Sequence, residues 1–330
     1  MKLARRHLLR LAGAAAVTFP MRGWAQGVPA AKGARITLLG TAGGPPPHLD
    51  RSQPASLLEV DGRRYLIDAG ENVGQQLARA GTPPSQVDLT LLTHLHWDHT
   101  LGLDYLLASG WMLGRNKPMP IWGPPGTRKL VDATLAAVGI GEDIFRPQAP
   151  GRPPLASLYP VRECDVSTPQ VLMEDHGVRI SAVANTHYAQ IHSAPHDYGA
   201  DKSYAYRFDT PYGSVVFTGD TGPSAPLTQF CHGADVLVSE IVDLPSIRAG
   251  LVAVGTQGPA LETLMAHMEF QHLTPEKLGA LAQEAGVKTL VLTHFVAGRN
   301  FDPQALAAAL GRVFKGRIVA GKDLDVIPLG

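Results

Sequence analysis

Cysteine is nearly absent from the 330 residues, with Cys164 and Cys231 standing 67 positions apart. That pair excludes a multiply stapled scaffold and a thiolate metal site; both are read as small core residues, with a single bridge as the lesser alternative. Charged side chains make up only 18% against 45% hydrophobic, which excludes a disordered or coiled-coil chain. No apolar run suits a permanent bilayer span; residues 8–20 are short, mildly apolar and interrupted by Arg10, so no stable membrane insertion is expected. Neither a short-period repeat nor a Gly/Ser linker is present, so residues 27–330 are expected to form one layered domain. Glycine and proline, at 35 and 27 residues, point instead to many loops.

The charge balance hides a split. Lys2, Arg5, Arg6, Arg10 and Arg22 lie in residues 1–26, which hold no acid, leaving 24 basic against 29 acidic groups elsewhere, a net of −5. Residues 1–26 read as a basic start, an apolar stretch and a small-residue exit at Gly23-Trp24-Ala25. Arg5-Arg6-His7-Leu8-Leu9 fits a twin-arginine signal peptide, so a periplasmic protein carried by the twin-arginine export machinery is expected. The acidic body, without a long basic arm at 141–159, makes nucleic acid an unlikely partner.

Apolar strands at 35–39, 55–60, 64–67, 87–92, 178–184, 203–208, 214–218, 236–240 and 288–292 alternate with helical spacing at 72–80, 127–138, 275–285 and 303–313. Ligand-type residues recur at the strand ends. His94-Leu95-His96-Trp97-Asp98-His99 follows one strand, with four such residues in six positions. His187, Asp220 and His294 follow three others. Each alone is ambiguous, because a histidine at a strand end is more often a hydrogen-bonded loop residue. Together, five histidines and two carboxylates suffice for two borderline divalent cations, zinc foremost, with manganese or iron also suited.

These motifs resemble the metallo-β-lactamase superfamily, whose fold is an α/β four-layer αββα sandwich, and the resemblance covers residue 34 to about 319. It implies that His94, His96 and His187 hold one metal, that Asp98, His99 and His294 hold a second, and that Asp220 bridges them. An aspartate at 220 speaks against a true lactamase. Gly40-Thr41-Ala42-Gly43-Gly44 through Arg51, Asp68-Ala69-Gly70-Glu71-Asn72, and His272-Leu273-Thr274-Pro275-Glu276 are similar to the ribonuclease Z and arylsulfatase-like branch. There His272 would protonate the leaving oxygen. Ser239-Glu240 resembles that branch's His-Glu pair with Ser in place of His, and Glu240 would orient His272. The expected activity is an exported dinuclear-metal hydrolase of small anionic phosphate or sulfate esters, with a metal-bridging hydroxide as nucleophile and Asp98, His272 and Glu240 as catalytic residues. The alternatives are a ribonuclease Z-type tRNA 3′-processing endonuclease, a lactone hydrolase, and a noncatalytic metal sensor. Family members often pair, so a homodimer is possible. Asp68 is a candidate support for a ligand imidazole, and His192, His196, Asp197 and Asp201, an alternative third metal site, are read as a solvated loop beside the mouth.

Overall fold

Along β1 (Ala34–Gly40) and β2 (Ala55–Val60) nearly every residue is buried, because both faces of these strands are covered. The computed structural model describes residues 32–191, 194 and 196–330; the proposed signal segment 1–26 and His192 lie outside them. With β3 (Arg63–Ile67), β4 (Leu89–Leu91), β5 (Ile121–Gly123) and β6 (Val161–Glu163), they build the first sheet. The second sheet comprises β7 (Gln170–Asp175), β8 (Val178–Ala184), β9 (Tyr204–Thr210), β10 (Gly213–Phe217), β11 (Val236–Val242), β12 (Thr289–Val296) and β13 (Arg317–Ala320). The last strand, β14 (Val326–Leu329), returns to pair antiparallel with β1.

Period-two alternation decides the layers. Ile36, Leu58, Val215 and Val238 face the interior between the sheets, where Tyr65 and Phe208 meet at 5.6 Å. Leu57 and Leu66 face outward, as do Val216 and Leu237 on the second sheet. The first sheet's outer face is covered chiefly from α1 (Val73–Arg79), α3 (Leu103–Met112) and α4 (Thr127–Phe145), while the short α2 (Trp97–Thr100) lies between α1 and α3 in sequence. The second half adds α5 (Ala225–Phe230), α6 (Leu244–Ala253), α7 (Gly258–Gln271), α8 (Pro275–Glu284) and α9 (Pro303–Leu310). Of these, α5, α8 and α9 pack on the second sheet, whereas α6 and α7 pack against each other. The result is the expected αββα sandwich. Truncating an interior ring such as Phe208 would cost about 3–5 kcal/mol.

Several elements depart from the expected spans. The helix expected to end near 138 continues to Phe145, since Gly139 and Gly141 sit on an open face where no side chain is needed. Residues 244–269, of mixed pattern, form most of two helices. Strand β7 was not legible because it is an edge with little burial. Both cysteines are free, Cys231 buried and Cys164 partly so. Among the described residues no helix is long and apolar enough to cross a membrane.

Candidate metal centre

The seven candidate ligands come from strand-end loops of both sheets and converge at one end of the sandwich. After β4 the chain passes through Thr93 and His94 and turns into α2, which carries Asp98 and His99. His187 follows β8 and Asp220 follows β10. His294 differs from expectation: its strand does not stop at Leu292 but runs to Val296. Between the pairs Ser239–Leu292 and Ile241–Phe295 the register shifts, leaving one extra residue on β12. His294 takes up that bulge at φ 42°, a left-handed conformation that swings its ring into the site.

Two groups result: His94, His96, His187 and Asp220, and Asp98, His99, Asp220 and His294, each with ligand atoms within 4.8 Å of one another. Asp220 faces both. Its Oδ2 lies 3.9 Å from His94 Nε2 and from His187 Nε2, while Oδ1 lies 3.3 Å from His99 Nε2 and 3.1 Å from His294 Nε2. His96 Nδ1 sits 3.1 Å from His94 Nε2 and 3.2 Å from His187 Nε2. One proton between three ring nitrogens satisfies only one of those contacts. Burial holds His94 far below the ordinary histidine range and His187 down at about 3, so neither takes up another. The spare lone pairs fit a cation, and with the shared carboxylate the donor set suits divalent metal.

Neighbours fix which ring nitrogen points inward. His187 Nδ1 donates to the carbonyl of Gln271, at the end of α7, at 3.2 Å. His99 Nδ1 donates to Asp68 Oδ2 at 2.9 Å. Asp68 also accepts from the Thr93 amide at 2.8 Å and from its hydroxyl, and that hydroxyl lies 3.0 Å from His94 Nδ1. One carboxylate thus supports a candidate ligand in each group. Asp68 reaches them from φ 61°, just past β3. Asp98 is held at about 2: burial opposes this, but His99 and His294 outweigh it.

Next to the ligands, His272 Nδ1 meets Glu240 Oε2 at 2.9 Å, and Glu240 Oε1 accepts from the Thr221 amide at 2.8 Å. Burial of His272 would lower its pKa, yet the Glu240 carboxylate raises it to about 9; burial in turn raises Glu240. The His272 ring lies 5.2 Å from that of His187. Ser239, on the opposite side of β11, bonds to the Glu240 carbonyl and near Thr218, so the Glu240–His272 contact forms without it. The sequence did not single out Thr93 or Tyr188. The Tyr188 ring stands 5.1–5.8 Å from those of His94, His96 and His187; its only signal was adjacency to His187. His196 pairs with Asp201 at 3.2 Å and stacks on Tyr198 away from both ligand groups.

Fold and site together define a metal-dependent hydrolase of ester bonds. A family model described as "Beta-lactamase superfamily domain" matches residues 63–295, which contain all seven candidate ligands. The chain is 34% identical over 299 residues to the Ribonuclease Z of Mycobacterium bovis (strain BCG / Pasteur 1173P2), covering 88% of this chain and 96% of that protein. It is 36% identical over 298 residues to the Ribonuclease Z of Mycobacterium avium (strain 104), with the same coverage of both. The chain belongs to the metallo-β-lactamase superfamily, in its ribonuclease Z-like branch. Human tRNase Z, short form, shares the fold, with a TM-score of 0.62 at 20% identity over 90% of this chain and 98% of that one.

Three expectations are corrected by these relatives. An exported hydrolase of phosphate or sulfate esters gives way to the ribonuclease Z alternative. The exclusion of nucleic acid falls too, because near-full-length relatives are named for an RNA substrate. Its physical basis was inadequate: net charge averages over the whole surface and does not report the local field at a binding face. The periplasmic assignment falls with them, because it rested on the exported-hydrolase reading that the ribonuclease Z relatives overturn.

Proposed function

We propose that this chain is a ribonuclease Z-type endonuclease that cleaves the phosphodiester at the 3′ side of transfer-RNA precursors, with residues 27–330 as its one hydrolase domain. The observation that carries this reading is 34–36% identity to enzymes of that name across 88% of the chain. His94, His96 and His187 would hold one divalent ion and Asp98, His99 and His294 a second, with Asp220 between them; zinc best suits the mixed imidazole and carboxylate set. Bound there, the ions would stabilise charge on the phosphoryl oxygens and supply a nucleophilic water at neutral pH. Asp98 belongs to the catalytic residues through its place beside His294. His272 holds the proton for the departing oxygen: Glu240 occupies Nδ1 and leaves Nε2 as the donor.

The test is incubation of the zinc-loaded protein with a precursor transfer RNA carrying a 3′ trailer, beside aryl sulfate and lactone substrates. Release of the trailer, abolished by chelator, is the expected result. Intact RNA from protein holding its full metal complement sinks the proposal.

A further inference from the structure

The C-terminal segment contributes no candidate ligand, yet it reaches the loop that borders the second ligand group. Asp323 Oδ1 accepts from the Thr41 amide at 3.0 Å and the Thr41 hydroxyl at 2.7 Å. Its Oδ2 accepts from the Ser52 amide at 2.7 Å and from Gln76 Nε2 at 2.9 Å. A single carboxylate therefore closes residues 41–52 into a loop, reinforced by the Ala42 amide donating to the Ser52 carbonyl at 3.0 Å.

Both ends of that loop's influence fall on second-group residues. Gly44 N–H donates to Asp98 Oδ2 at 3.1 Å, the same oxygen that His294 Nε2 approaches at 3.3 Å. The Thr41 carbonyl accepts from the Phe295 amide at 3.0 Å, directly after the left-handed His294. Such a backbone costs about 1–3 kcal/mol and persists only where neighbours hold it. A side chain on Gly43 would come within 2.7 Å of the Phe295 backbone, so the loop lies flat on the bulge. Among the described residues, no hydrogen bond or ion pair of Asp323 or of this loop runs to His94, His96 or His187.

We infer that Asp323 is a positioning residue for Asp98 and His294, acting through Thr41 and Gly44, and that its loss weakens the second metal site while sparing the first. This rests on the proposed reading of the two groups as metal sites. Without the carboxylate, four donors lose their acceptor, Gly44 no longer has a fixed place beside Asp98, and the bulge loses its brace at Phe295.

Zinc titration of the metal-free full chain, followed by competition with a chelating dye, tests it for wild type, Asp323→Asn and Thr41→Val. Wild type takes up two equivalents. Asp323→Asn keeps the first at unchanged affinity and binds the second at least about tenfold more weakly, the usual scale for groups that orient ligands. Thr41→Val, which removes the hydroxyl's bond to Asp323 and the one it accepts from Arg51 but keeps the amide's, shows a smaller loss at the same site. Two equivalents at wild-type affinity in both variants overturn the inference and leave the proposed function standing. Fewer than two in wild type overturns both. Should Asp323→Asn fail to fold, Thr41→Val decides alone: no loss, or equal loss at both sites, overturns the inference.

Discussion

Glu240 and His272 meet through Oε2 and Nδ1 at 2.9 Å, and both are buried. Because the carboxylate lifts His272 from 6.5 to about 9, the proton-bearing form exists below that pH and is lost above it. The basic limb of the pH dependence of kcat/KM therefore lies near 9 and moves toward 6.5 in Glu240→Gln, while metal content is unchanged. The sign for stability is the same: a raised folded pKa stabilises fully below 6.5 and ceases to as pH rises through about 9. Thermal denaturation across that window should thus fall more steeply for wild type than for Glu240→Gln. An unmoved limb removes the pairing from the mechanism. His272→Ala should lower kcat by about 100-fold or more with both ions still bound.

Asp68 supports His99 directly and His94 through Thr93. Asp68→Ala should lower affinity at both sites by about 10–100-fold. Asp68→Asn, which tolerates the left-handed backbone and keeps one acceptor oxygen, should fall between that variant and wild type. Equilibrium dialysis against buffered zinc separates the three; a loss confined to one ion contradicts the shared support.

Asp220 presents one oxygen to each group. In Asp220→Asn the lost charge is common to both, so elemental analysis should find both ions depleted, and turnover should fall further than in any variant of a supporting residue. Retention of two tightly bound ions would refute the bridging arrangement.

Metal removal should destabilise without unfolding. The interior between the sheets is apolar and independent of the ligands, so chelator-treated protein should keep its far-ultraviolet dichroism. Zinc at a hundred times its dissociation constant should then add about 2.7 kcal/mol per site, read as a rise in Tm. A Tm indifferent to zinc is the contrary outcome.

Much of the site was legible because its ligands lie at strand ends close in sequence to apolar runs, so His94, His96, Asp98, His99, His187 and Asp220 announce their own positions. His294 was found, but not its geometry. The bulge arises from pairing between β11 and β12, and nothing local to residue 294 encodes a register shift. Asp68 was singled out as a support for a ligand imidazole, but which imidazole was hidden, because its partners at Thr93 and His99 lie some 25 to 31 positions away. Gly139 and Gly141 misled for the opposite reason: they are poor helix formers locally, but α4 is carried past them by the helix as a whole. Function was misjudged where whole-chain charge stood in for a surface.

The ligands are divided between the two halves of the chain, four before residue 100 and three from 187 onward. Neither half owns a complete donor set. The first group cannot be complete before Asp220 has followed β10, nor the second before His294 has followed in β12. An ion held by either group would therefore join residues from both halves, and its retention would report that the two halves have come together.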